Sequence, residues 1–167
     1  IAAAYEVTCH ATGIYPPWGK GGRFPMPVTV WACNDTNTNV RDINQFELLG
    51  PYEDFGTGMI PYGFIHGDPS RKPGIPKAVE SFTVKHITGG LSNIIFKSYE
   101  QGWEAFTGRA IEVIWCDEEP PQDVYAECCI RTMTTNGLIL LTFTPLQGVT
   151  EVVKGFLEST RKEDSEQ

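Results

Sequence analysis

Apolar runs that stop abruptly in polar residues divide this chain into its candidate elements. Residues 111–116 are apolar apart from Glu112 and end in Asp117-Glu118-Glu119, followed by Pro120-Pro121. Residues 138–144 form a second run, stopped by Pro145. Between them, in 123–133, Val124, Cys128 and Arg131 fall on a different stripe from Asp123 and Glu127. That period predicts an amphipathic helix. The two prolines suit its first turn, where no amide hydrogen bond is lost, and Asn136-Gly137 breaks it. Strand, helix and strand with short connections make a βαβ unit, so both strands are expected to be parallel, with their carboxyl ends on one edge. If they are neighbours, they lie about 4.8 Å apart. Thr142 or Thr144 would then share a site with Asp117 and Glu118.

The same reading carries through the rest of the chain. Residues 1–12 fit a helix ended by Gly13, and 13–26 an ordered loop anchored by Tyr15, Trp18 and Phe24. A strand is expected at 27–33, followed by Asn and Thr residues able to cap a helix over 39–49. Residues 50–76, rich in glycine and proline, read as a long irregular excursion. Strands are expected at 79–87 and 93–98, a short helix at 100–106 and a final helix at 149–159. There is no internal repeat.

Composition narrows the class. The 167 residues are 41% hydrophobic, enough for one sizeable core, and no apolar run approaches the length of a membrane-spanning helix. The net charge of −8 argues against a broad nucleic-acid-binding face, though not against a local basic patch. Arg23, Arg41, Arg71 and Lys72 are candidates for phosphate contacts, with exposed or ion-paired roles as the competing reading. Trp18 and Trp31 are either base-stacking residues or anchors. Cys9, Cys33, Cys116, Cys128 and Cys129 have no C-x-x-C spacing and mostly fall in apolar segments, which points to buried reduced thiols. His10, His66 and His86 show no metal-ligand spacing.

Three adjacent carboxylates at the end of a buried strand repel one another unless a cation or a general-base role keeps them there. Open α/β sheets place their ligands at that edge. In nucleotide hydrolases the first acid holds Mg²⁺ and the next polarises the attacking water. A solvated acidic turn after a core strand is the competing reading.

The order strand, Asp117-Glu118-Glu119-Pro120-Pro121, helix, strand, Thr142-Phe143-Thr144-Pro145-Leu146-Gln147-Gly148-Val149-Thr150, helix resembles the ATPase domain of the tailed-bacteriophage terminase large subunit, the viral DNA-packaging motor. The segment from Ala4-Tyr5-Glu6 through Tyr15-Pro16-Pro17-Trp18 is similar to the helix and loop after that family's phosphate-binding loop. Arg41-Asp42-Ile43-Asn44-Gln45 and Phe96-Lys97-Ser98-Tyr99-Glu100-Gln101 fit the same setting.

The resemblance implies an α/β fold of the RecA-like P-loop NTPase type, a mostly parallel sheet flanked by helices and incomplete at its amino-terminal end. Residues 1–160 would be the motor domain and 161–167 a tail or linker to a nuclease domain. It implies ATP and Mg²⁺ as cofactors, with Asp117 at the metal and Glu118 activating water. Thr142 and Thr144 would sense the γ-phosphate; for Thr142, satisfying local backbone is an equal alternative. Glu119 would form a salt bridge or cap a helix. Arg109 is in the region of an arginine that reaches a neighbouring subunit's site, although Thr107 occupies the place where that arginine is expected; a solvated surface arginine is the competing reading. The implied partners are double-stranded viral DNA, the portal protein, the small terminase subunit and copies of the chain in a ring on the procapsid, in the cytoplasm of the infected host, with no membrane. No G-x-x-x-x-G-K-[ST] occurs in these residues. In the family that loop would lie immediately before Ile1, so these residues alone are expected to bind ATP poorly. A helicase-like repair ATPase and a non-catalytic, cation-binding α/β domain are the alternatives.

Overall fold

The computed structural model describes residues 1–19, 21–144, 148 and 150–155. Pro145, Leu146, Gln147 and Val149, most of the expected 149–159 helix and the 161–167 tail lie outside the described residues; 151–155 are helical. Helix α1 (Ala2–Thr12) leads to β1 (Thr29–Asn34). A helical run follows: α2 (Asn37–Asn39), a π-helical stretch (Val40–Gln45) and α3 (Phe46–Leu49). Next come β2 (Ile65–Arg71), β3 (Val79–Lys85) and β4 (Leu91–Ser98). The 3₁₀ turns Tyr99–Gln101 and Trp103–Phe106 lead to β5 (Val113–Asp117), α4 (Gln122–Met133) and β6 (Leu138–Thr142).

The six strands form one sheet in the order β2-β3-β4-β1-β5-β6. β4, β1, β5 and β6 are mutually parallel, the β5–β6 pair as the βαβ pattern predicts, while β3 pairs antiparallel with both β2 and β4. Both faces are covered. Ala3, Ala4, Val7 and Ala11 of α1 and Leu48 and Leu49 of α3 pack on Val30, Ala32, Phe96 and Trp115. On the other face, Val124 and Cys128 of α4 and the turn residue Phe106 pack on Trp31, Cys33, Ile114 and Cys116. Connections over α4's face step toward β6, whereas the path from β1 over α3's face steps the other way, to β4. One crossover hand imposes this relation.

Several expectations are corrected. The 50–76 excursion is not irregular throughout, since it contains β2. That strand was hidden because Gly67 has φ +70, Pro69 interrupts it and the pairing with β3 shifts register, features confined to sheet edges. The helix expected over 100–106 is two 3₁₀ turns, separated where Gly102 takes φ +79. The 39–49 helix begins at Asn37, capped by Thr36, whose hydroxyl accepts from the Asn39 amide at 3.1 Å, and its middle is π-helical. Trp18 is not a buried anchor; it is 76% exposed. Trp31 is a core residue, edge-on to Phe106 with the Lys97 ammonium 4.7 Å from its ring centroid. All five cysteines are free, and four are buried. No helix among the described residues is long and apolar enough to cross a membrane.

Helix α1 ends where expected. Gly13 takes φ +76 and its amide bonds the Cys9 carbonyl at 2.9 Å. The Thr12 carbonyl then accepts from the Ile87 amide at 2.9 Å, pinning the helix to the β3–β4 turn. A Cβ on Gly13 would lie 2.4 Å from His86 Nε2. Gly13→Ala therefore adds this clash to a left-handed penalty of about 1–2 kcal/mol. Urea unfolding is expected to show a loss of about 2 kcal/mol or more.

Candidate functional site

The polar ends of three adjacent parallel strands meet at one edge of the sheet. β1 ends in Asn34, β5 in Asp117 and β6 in Thr142. Asp117 and Thr142 are register partners, and the Thr142 hydroxyl donates to Asp117 Oδ1 at 2.7 Å. Trp115 Nε1 donates to the same hydroxyl oxygen at 2.8 Å, so the hydroxyl hydrogen is directed at the carboxylate. The Thr142 hydroxyl thus bonds two side chains, an indole and a carboxylate, rather than local backbone. Asn34 Nδ2 donates to Asp117 Oδ2 at 3.1 Å.

Asp117 is half-buried, and burial raises its pKa above the usual carboxylate range. The hydrogen bonds from Thr142 and from Asn34 oppose that rise, while Glu47 adds to it. Each carboxylate oxygen accepts one hydrogen bond from these neighbours and has further lone pairs. A partly desolvated carboxylate with a hydroxyl beside it suits a hard cation that retains waters and takes its remaining ligands from phosphate oxygens. Among the described residues, no group of three or more His, Cys, Asp or Glu is arranged to hold a metal by protein ligands alone.

Glu118 is exposed and adopts φ +71, a conformation that costs a non-glycine residue about 1–2 kcal/mol. Two hydrogen bonds hold it there: its amide donates to the Thr142 carbonyl at 2.9 Å, and the Tyr99 hydroxyl donates to its carbonyl at 2.9 Å. The Glu119 carboxylate accepts from the Thr150 hydroxyl, at the start of the helical residues 151–155, and does not cap α4. Thr144 lies two residues beyond β6 and is exposed.

Arg109 is exposed on the amino-terminal side of β5, at the opposite edge from Asp117. Within one chain the two do not meet. Arg23 donates to the carbonyls of Pro16 and Gly19, and Arg41 is paired with Asp42. Sequence reasoning missed Asn34 and Asn44. The signal was present, because β1, like β5, is a buried strand that changes to polar residues at its carboxyl end.

The N-terminus of α1 opens at this same edge. Glu47 of α3 lies beside Ile1, the residue before α1. The helix has no side-chain cap and no acidic residue in its first turn. Its first amides and the positive end of its dipole therefore lie close to the Asp117 edge.

A family model described as terminase large subunit, T4likevirus-type, N-terminal, matches residues 1–166. The chain is 37% identical to the terminase large subunit of Salmonella phage P22, over 97% of its own length and 36% of that protein. No solved structure matches significantly. With nearly every residue covered, and with the acidic and threonine-bearing strand ends side by side, the chain belongs to the terminase large subunits and corresponds to their N-terminal region.

Proposed function

We propose that this chain is part of the ATP-hydrolysing motor of a terminase large subunit, which translocates double-stranded DNA into a procapsid. The convergence of Asp117 with Thr142 at the carboxyl edge, beside the left-handed Glu118, is the observation that carries this reading. Mg²⁺ bound with ATP would neutralise charge on the β- and γ-phosphate oxygens. Asp117 holds the metal, Glu118 orients and activates the attacking water, and Thr142 and Thr144 respond to the γ-phosphate. Arg109, remote from its own Asp117, acts only on a neighbouring copy, in keeping with a ring of subunits. The portal protein, the small terminase subunit and viral DNA complete the assembly, in the host cytoplasm.

The RecA-like reading of the fold has support in the crossover pattern. Paths over α4's face step toward β6, and the path over α3's face, which is also α1's face, steps away from β6. By the same hand, a strand leading into α1 and then β1 comes from the β6 side of β1. β5 and β6 fill the adjacent places, so that strand takes the free edge of β6. Its connection to α1 then passes over Thr142 and Asp117, where a phosphate-binding loop would use the uncapped first turn of the helix.

Glu118 separates catalysis from folding. In the longer protein, with the segment leading into α1 present, Glu118→Gln is expected to lower ATP turnover by about 10²–10⁴-fold while nucleotide binding persists. Glu118→Gly is expected to lose turnover equally, yet to gain about 1 kcal/mol in urea unfolding, because glycine accepts φ +71 without strain. Near-normal turnover in Glu118→Gln would remove Glu118 from the chemistry.

Asp117 makes binding depend on pH. A proton on its raised carboxyl competes with the metal, so affinity for Mg²⁺–ADP is expected to weaken as pH falls, starting above the usual carboxylate range. In the nucleotide-free protein the sign for stability is opposite. The folded pKa exceeds the unfolded one, so the ionised form is disfavoured by folding. The Asp117 contribution is expected to be most favourable below the unfolded pKa and to decline as pH rises through the folded one. Titration calorimetry and urea unfolding across pH, with Asp117→Asn as the flat control, measure both.

A further inference from the structure

Asn34 is fully buried at the end of a strand whose preceding residues, Val30-Trp31-Ala32-Cys33, are all apolar and buried. Its amide head is committed on every side. One Nδ2 hydrogen is directed to Asn44 Oδ1 at 2.9 Å and the other to Asp117 Oδ2 at 3.1 Å, while Oδ1 accepts from the Asp35 amide at 2.8 Å. A flipped amide would set Oδ1 against both the carboxylate and Asn44 Oδ1, so only one orientation is compatible with its neighbours. Asn44 is fixed in turn. It is also fully buried, and its Nδ2 reaches the Cys33 carbonyl at 3.4 Å, leaving Oδ1 to face Asn34. The π-helical stretch that carries Asn44 widens the helical turn and buries the consecutive Asn44 and Gln45 together. Gln45 secures the stretch from its other side, accepting from the Val79 amide at 2.8 Å and donating to the Lys77 carbonyl at 3.0 Å.

We propose that Asn34, held by Asn44, is a positioning residue that fixes the rotation of the Asp117 carboxylate for divalent-metal binding. The proposal rests on the reading of Asp117 as the metal ligand and adds a chain of residues that act only through it. Thr142 on Oδ1 and Asn34 on Oδ2 hold the two oxygens from different strands, so the carboxylate plane cannot turn while both contacts persist. The remaining lone pairs are thereby aimed before any metal arrives, and charge-assisted hydrogen bonds are strong enough to hold that aim. Without Asn34, the carboxylate is held at one oxygen only and must be ordered as the metal binds. The cost of that ordering falls on metal-dependent binding alone.

The test uses the longer protein and the variants Asn34→Leu, close in volume with no donor, and Asn44→Leu, which changes neither Asp117 nor a residue that touches it but frees Asn34 from its anchor. Fluorescent ADP is titrated in Mg²⁺ and in EDTA. Asn34→Leu is expected to leave the EDTA affinity unchanged and to lose about tenfold of the Mg²⁺ enhancement. Asn44→Leu is expected to show a smaller loss of the same kind, and serves alone if Asn34→Leu does not fold. Hydrolysis should need about tenfold more Mg²⁺ for half its maximal rate in Asn34→Leu, with KM for ATP unchanged at saturating Mg²⁺. A folded variant that keeps the full Mg²⁺ enhancement overturns the proposal, as does an equal loss of affinity in Mg²⁺ and EDTA, which marks a merely structural role. Asp117→Asn separates the two levels. If it retains Mg²⁺-dependent binding, the metal-ligand reading fails; if it loses that binding while Asn34→Leu keeps it, only the positioning role fails.

Discussion

The register between β5 and β6 is the constraint on which the carboxyl edge depends. Parallel pairing sets Asp117 opposite Thr142, and a slip of one residue would set it opposite Leu141 or Phe143 with every side chain of β6 turned to the other face. The Thr142 hydroxyl secures the register from two positions on one face of β5, because Trp115 and Asp117 are two residues apart and both bond it. One contact is a core indole and the other a half-exposed carboxylate. Packing of the core and placement of the acid are therefore settled by the same hydroxyl, and β6 cannot satisfy one without the other.

The cost of the arrangement is concentrated at residues 117 and 118. Burial disfavours the charged form of Asp117, and Glu118 occupies a backbone region that side chains avoid. Neither feature stabilises the chain. Both persist because the surroundings over-determine them: Tyr99 and the Thr142 carbonyl grip the Glu118 backbone, while Thr142 and Asn34 grip the Asp117 side chain. Strain and desolvation located together on consecutive residues mark a functional site better than either does alone. Lys77 and Asn136 also have positive φ, but they sit in the β2–β3 connection and after α4, where such turns are ordinary.

What could be read in advance followed from periodicity. The β5–α4–β6 unit was legible because buried parallel strands are continuous apolar runs, and the endings of those runs, in Asp117 and in the threonines before Pro145, exposed the edge they share. Asn34 was not recognised as part of the site. Cys33-Asn34-Asp35-Thr36 has the composition of a turn and a helix cap, and Thr36 does cap α2, so the local explanation masked the role of the residue two places earlier. β2 was hidden for the opposite reason. Its glycine and proline are tolerated because no strand among the described residues pairs with its outer side, and one-dimensional pattern does not distinguish an edge strand from a loop. The π-helical stretch carries no compositional mark, although its widened turn buries Asn44 and Gln45 side by side.

The two edges of the sheet are built differently, and the difference bears on how the fold is completed. β2 carries Gly67, Asp68, Pro69 and Arg71 and shifts register against its neighbour, devices that discourage a further strand from pairing. β6 carries none of them. Its sequence is Leu138-Ile139-Leu140-Leu141-Thr142, and all five residues are half-exposed. An aliphatic strand of this kind has the composition of a sheet interior, where both sides are paired. On the proposed reading of the fold, the direction of the crossovers would independently put a strand leading into α1 in the same place. Side-chain composition and chain handedness have separate physical origins, so their agreement on the β6 edge is stronger than either argument. On that reading the connection into α1 would pass over the carboxylate and hydroxyl that β5 and β6 bring together.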